Sequence, residues 1–314
     1  MAARHTRSRP ARIIATALMV LAVSAACSGT SGPAPRPTAP PAVVRVASFN
    51  FPESELLAEI YAQALEAAGI PVRRELDLGT RELVQPALRQ HLVDLVPEYL
   101  GTALASIDPH AQLNWHEPAA VLDALRQQLA QWDLVPLRPA AASDQNGFAI
   151  TPATAAWLGI RNLSELAAVR PLVLGGPSEC PVRPYCLVGL RQVYGLTIKR
   201  FVSFDDEAQR ESALEEGVVD VAVTFTTNGA VAAGRVVLLR DDRALQPAER
   251  VVPIVSQRAL TRYGPQLQAV LDAVSARLDT AGLRFLNWRI GTGGKGLAAE
   301  AHGWLHRHDL LHER

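Results

Sequence analysis

The residues of this 314-residue chain that could do chemistry are few, and their surroundings exclude most of what they could do. Gly291-Thr-Gly293-Gly-Lys-Gly296 has the spaced glycines of a dinucleotide loop. Such a loop follows a strand and opens a βαβ unit, whereas Leu267 to Trp288 reads as helix and only residues 297–314 remain beyond it. A phosphate loop fails as well, because Lys295 is followed by Gly296 and not by Ser or Thr. His302, His306, His308 and His312 crowd the C-terminus, the first pair at i,i+4, but no carboxylate completes a zinc-protease pattern. A solvated terminal helix is expected there. Ser178 lacks the final glycine of a nucleophile elbow, and nothing nominates a base for it. Glu53 and Glu98 could be imagined as paired acids, yet a carboxylate at a helix start is ordinarily satisfied by the helix dipole. No catalytic set assembles, so no enzyme, cofactor or metal site is expected.

What remains points to recognition. Asp94-Leu-Val-Pro97-Glu98-Tyr99-Leu-Gly101-Thr102 follows a short apolar run from Leu92 to Val96. Proline has no backbone donor, so Pro97 is expected to end that strand. A carboxylate, an aromatic ring, a flexible glycine and a hydroxyl then fall at the strand's C-terminal end, the edge where open α/β sheets collect ligands.

The flanking patterns supply the elements that would position these groups. Val43 to Ala47 is β-rich, and Glu53 to Ala68 carries a helical apolar stripe punctuated by Pro52 and Gly69. Val72 to Leu78 is a second strand, and Thr80 is placed to cap the next helix. Strand, helix, strand, helix, strand implies a mostly parallel, doubly wound sheet. Glu117 to Trp132 is a further amphipathic helix. A second α/β set runs from Leu172 to Leu239, and Thr226-Thr227-Asn228-Gly229 again makes a polar turn at a strand end. Val251–Val255 is a strand, and from Pro265 onward the pattern is helical. Two lobes with crossings near 145 and 252 make a hinge, a geometry suited to closing around a ligand.

The N-terminus reads as an export address. Arg4, Arg7, Arg9 and Arg12 precede an apolar Ile13–Val23, and Ser24-Ala25-Ala26-Cys27 is a small-residue cleavage site. Cys27 falls where bacterial lipoproteins carry the acylated cysteine, so residues 1–27 are taken as a lipoprotein signal peptide. Residues 28–42, rich in Gly, Ser and Pro, read as a disordered tether. In an exported chain the remaining cysteines, Cys180 and Cys186, are expected to form a disulfide. With 31 basic and 31 acidic residues nothing argues for a nucleic-acid partner.

With these residues laid out, the chain resembles the glycine betaine/choline/carnitine-binding proteins of ABC transporters, the ProX/OpuAC type. Phe51-Pro-Glu53-Ser54, Asp94 to Thr102, Asp220 to Gly229, Leu239 to Asp242 and Pro253 to Val255 carry the resemblance in order. The Cys180/Cys186 loop and Gln246-Pro-Ala-Glu249 are similar to the actinobacterial branch. The resemblance implies an α/β, periplasmic-binding-protein-like fold of type II, each lobe with a mixed, mostly parallel sheet, joined by two hinge crossings. Lobe 1 would comprise 43–145 and 253–314, and lobe 2 146–252.

It also implies a monomeric, lipid-anchored receptor on the extracytoplasmic face of the plasma membrane, handing a small solute to permease subunits. Quaternary ammonium has no N–H to donate, so it is held on aromatic faces at roughly 0.5–2 kcal/mol per ring. Tyr99 is the first cage residue by this reading, with Phe51 and Phe225 as further walls. Thr102, Asn146 and Thr227 would supply polar contacts, and Arg183 would meet a ligand carboxylate. The family's aromatic position at the first crossing falls on Gly147 or, if the register slips by one, on Phe148. A rival ligand is a polyol, an aromatic or another zwitterion. An enzyme on the same scaffold would need a titratable cleft residue, with Asp144 or Glu179 the places to look.

Overall fold

The computed structural model describes residues 43–311 apart from 170 and 205. The signal peptide, Cys27, the tether and His312 lie outside the described residues. Pro41–Arg314 forms one compact unit.

The first sheet holds β1 (Val44–Ala47), β2 (Val72–Glu75), β3 (Leu95–Tyr99), β4 (Leu134–Pro136) and β10 (Val251–Ser256), in the order β2-β1-β3-β10-β4. The second holds β5 (Asn146–Ile150), β6 (Leu172–Gly176), β7 (Ile198–Ser203), β8 (Val221–Phe225) and β9 (Val237–Leu239), in the order β7-β6-β8-β5-β9. In both, the three strands joined by helices pair in parallel, and every antiparallel pairing involves a crossing strand, β5 or β10. The chain passes to the second sheet between Pro136 and Asn146 and returns between Leu239 and Val251.

Alternation along β3 decides what its end can reach. Leu95 and Tyr99 face one core, with Leu57, Ile60 and Tyr61 of α1 (Pro52–Ala67) and Leu267 and Leu271 of α10 (Gln257–Arg277). Val96 faces the other, with Val84 and Leu88 of α2 (Arg81–Arg89), α3 (Leu100–Ala105) and α4 (Pro118–Leu129). Successive strand residues point to opposite faces, so Glu98 lies toward α2 and Tyr99 toward α1.

Pro97 does not end the strand. It pairs directly with Pro253 of β10. Neither proline has an N–H, so they must form a non-hydrogen-bonded pair, and the ladder continues on either side of them. At the opposite end of β3, Asp94 binds the Arg45 backbone and side chain at 3.1 and 2.9 Å and Arg258 at 2.6 Å, tying β1 and α10 to β3.

Two further cores flank the second sheet. Phe148, Ile150, Leu174 and Val223 pack with α6 (Leu163–Leu166), α7 (Gly189–Tyr194) and the Cys180–Cys186 disulfide. Ala149 and Ala222 pack with α8 (Glu207–Glu215) and α9 (Gly229–Ala232). Short α5 (Pro152–Leu158) follows β5. After α10 come α11 (Thr280–Gly291) and α12 (Leu297–Arg307), so Thr292 to Gly296 is a helix-to-helix loop, as its context implied.

Candidate functional site

Two strand ends of the first sheet, those of β1 and β3, bring their rings together. Phe49 and Phe51 stack with centroids 5.9 Å apart and planes within 7°, and Phe51 stacks on Tyr99 at 6.2 Å. Phe49 and Tyr99 are buried, while Phe51 is 37% exposed, so the middle ring of the stack is the one with free surface. Arg81 lies over Phe49 at 4.9 Å and binds Glu98 through Nε and Nη2 at 3.2 and 2.8 Å. Glu98 therefore pairs with α2 and is no partner for Glu53.

Glu53 has different company. It is buried in the first turn of α1, where Tyr99 Oη donates to its Oε1 at 2.6 Å and Asn287 Nδ2 to its Oε2 at 2.5 Å. Asn287, on α11, also donates to the Thr227 carbonyl at 2.9 Å. Thr227 Oγ1 in turn donates to Asp144 Oδ1 at 2.6 Å. One network thus runs from the first sheet through α11 to the turn after β8 and into the first crossing. Burial pushes both the Glu53 and Asp144 carboxyls up, and the negative charge of Glu207 pushes each further. Glu207 itself accepts from Thr224 Oγ1 at 2.9 Å. Dipole stabilisation at the helix start does not exhaust the role of Glu53. The charge of Glu53 also raises Asp144, 91 positions further along the sequence and invisible to local spacing.

A second carboxylate sits on the returning crossing. Thr102 donates to Glu249 from Oγ1 at 2.5 Å and from its amide at 3.1 Å. A Cβ at Gly101 would stand 2.8 Å from the Ala248 carbonyl oxygen and 3.1 Å from Glu249 Oε1, so only glycine lets α3 approach this closely. Burial pushes Glu249 up to about 7, against the two Thr102 bonds and Arg81 that favour its ionised form. The crossings lie side by side, Asp144 N donating to Glu249 O at 3.0 Å and Gln145 Nε2 to Pro247 O at 2.6 Å.

The expected ligand residues divide accordingly. Phe51 and Phe225 are exposed, at 37% and 39%. Tyr99 is buried behind Phe51. The hydroxyls of Thr102 and Thr227 are already donating, to Glu249 and Asp144. Asn146 is the register partner of Phe225 and points its amide toward the Tyr185 carbonyl at 3.5 Å. Arg183 lies exposed on the disulfide loop, 3.2 Å from Glu179.

Neither residue at the family's aromatic position opens a ring to the cleft. Phe148 is 1% exposed within the second lobe's core. At Gly147 a Cβ would stand 2.4 Å from Leu238 Cδ1. Tyr185, inside the disulfide loop, is the ring that sequence reasoning missed. Its hydroxyl is held above its usual range by burial and by the charge of Glu249, which places the disulfide loop against the second crossing. Its only signal was position, between Arg183 and Cys186. Among the described residues no cluster of His, Cys, Asp and Glu could hold a metal, and no helix is long and apolar enough to cross a membrane.

Two sheets bridged by paired crossings, with rings and buried acids gathered where they meet, define a hinged receptor. A family model for the substrate-binding domain of ABC-type glycine betaine transport systems, OpuAC, matches residues 42–307, and the chain belongs to that family. It is 27% identical over 264 residues to the glycine betaine-binding protein YehZ of Escherichia coli, covering 80% of this chain and 86% of that one. It is 26% identical over 279 residues to a glycine-betaine-binding protein of Pseudomonas aeruginosa, covering 85% and 88%. The structure of apo YehZ matches with a TM-score of 0.74 at 25% identity, over 85% of this chain and 99% of that chain. The fold is therefore the two-lobe, periplasmic-binding-protein-like fold that the resemblance implied, and the chain's role is that of a solute-binding receptor in ABC transport.

Proposed function

We propose that this chain is a lipid-anchored receptor that binds a quaternary ammonium solute between its lobes, does no chemistry on it, and delivers it to permease subunits as a monomer. The observation that carries the ligand class is the Phe49–Phe51–Tyr99 stack, whose one exposed ring stands at a strand end. A methylated ammonium takes an aromatic face because the ring's negative quadrupole attracts a cation that cannot hydrogen-bond. Phe225 supplies a second exposed face at the corresponding edge of the second sheet.

Charge refines the choice. Glu53, Asp144 and Glu249 gather at the crossings, Arg81 is held by Glu98, and Arg183 lies beside Glu179. A solute that carries its own carboxylate would meet these acids, while Arg81 and Arg183 are already paired with Glu98 and Glu179. Choline, a cation without a carboxylate, fits this balance better than glycine betaine does. Calorimetric titration of the mature chain with choline, glycine betaine and carnitine tests the reading. Saturable choline binding that falls in Phe51→Ala is expected, and failure of all three to bind would overturn the ligand class. Release of a Cys27→Ser variant from the membrane fraction tests the anchor.

A further inference from the structure

Between the first crossing, β9 and α11 lies a cavity of about 570 Å³, within the roughly 300–1,000 Å³ of small-molecule sites. Phe51, Tyr99 and Phe225 do not line it, although Asn146, Gly147 and Phe148 of the first crossing do. Its wall is aliphatic, formed by Val231, Val236, Leu238 and their neighbours on β9. Its polar lining comprises Gln145, Asn146, Asp241 and Gln246 with two guanidiniums, those of Arg240 and, on α11, Arg284.

The chemistry of Arg284 is specific. Arg284 donates through Nε and Nη2 to one backbone carbonyl, Thr226 O, at 2.9 and 2.6 Å. Among the described residues no carboxylate pairs with it. Asp241, the acid in the lining, is saturated by Tyr194 Oη and by the amides of Leu245 and Gln246, at 2.9 and 2.8 Å for the two amides. The bonds to Thr226 return part of what desolvation costs this half-buried guanidinium, but no anion neutralises its charge. Burial accordingly lowers its affinity for its proton. An apolar wall beside a guanidinium that no carboxylate neutralises matches a small molecule with an apolar body and one negative end.

We propose that this cavity is a second ligand site, for a small amphipathic monocarboxylate whose carboxylate pairs with Arg284 and whose hydrocarbon body lies along Val236 and Leu238. Gln145 and Thr226, which join the crossings to the turn after β8 through a 2.9 Å bond, form part of the same lining. The occupant therefore rests on the hinge itself. The site does not depend on which solute the cleft takes.

Hexanoate is the probe, with hexylamine as its charge-reversed counterpart, titrated calorimetrically into Pro41–Arg314, which contains both sheets and all four cores. One saturable hexanoate site is expected, with no hexylamine binding. Arg284→Gln should weaken hexanoate at least tenfold. Because Arg284 also braces Thr226, Leu238→Asp serves as the second variant; it leaves that brace intact and sets a negative charge in the wall, and it should weaken hexanoate by a similar factor. Thermal melting of each variant confirms folding. The proposal is overturned by no saturable uptake, by equal binding of hexylamine, or by hexanoate binding that Leu238→Asp leaves unchanged.

Discussion

The Tyr99 hydroxyl donates to Glu53 Oε1 at 2.6 Å, so a ring at the end of β3 is fixed by the first turn of α1. Its face and its hydroxyl then have separate jobs, which substitution can separate. Tyr99→Phe should keep the stack with Phe51 and change choline affinity by less than about threefold, while costing about 1–2 kcal/mol of stability because Glu53 loses a buried donor. Tyr99→Ala should cost roughly tenfold in affinity. Titration and denaturant melts of both variants check this; equal affinity losses would count against a role for the ring face.

Glu249 gives the binding a pH dependence with a definite sign. Its carboxyl rises from the usual 4.5 to about 7 in the fold. A raised acid contributes most stability where it is protonated in both states, and that contribution is lost as pH climbs from its unfolded value through its folded one. Melting temperature should therefore decline between pH 5 and pH 8. A cationic solute favours the ionised form, so choline affinity should rise over pH 6 to 8. Glu249→Gln should flatten both profiles, read by melting and titration at a series of pH values.

Asp94 behaves in the opposite way. Burial opposes its ionisation, but Arg45 and Arg258 prevail and hold it below its usual 3.8. Its contribution is present above that value and lost as pH falls through the lower folded one. Asp94→Asn should destabilise the fold by about 2 kcal/mol at neutral pH, from the loss of charge-assisted bonds, and should reduce its sensitivity to acid below pH 4. Urea melts at pH 7 and pH 3 check both.

At Gly101 the prediction is steric. An added methyl would press on the Ala248 carbonyl and on Glu249. Gly101→Ala should cost about 1–3 kcal/mol as an overpacked contact. It should also disturb the Thr102–Glu249 pair, changing the pH profile of choline binding along with stability. A profile identical to wild type would dissociate Gly101 from that pair.

Much of this architecture was legible because it is written locally. Apolar periodicity gave α1, and Gly69 and Gly195, both at positive φ, mark helix ends as punctuation predicts. What failed to be legible was set by partners distant in sequence. Pro97 reads as a strand end until Pro253 is found opposite it. Phe148 reads as a cage ring until the second lobe's core claims it. Glu53 and Asp144, or Thr102 and Glu249, have no sequence spacing that announces them, because each pair is made by the fold bringing crossings and helix starts together.

The contact between Gly229 and α11 bears on how such a receptor moves. A Cβ at Gly229 would stand 2.7 Å from the Trp288 Cα, so α9 rests on the bare backbone of α11. Leu283 and Leu286 root α11 in the first lobe's core. The second lobe is thus joined to the first by a close backbone contact as well as by two strands. With no side chain at position 229, the two elements are free to slide on one another, a shear added to the hinge. The contact lies beside the site, since Gly229 follows Thr227-Asn228 and Trp288 follows Asn287, the donor to Glu53 and to the Thr227 carbonyl. Bulk added at position 229 would shift the resting angle between the lobes.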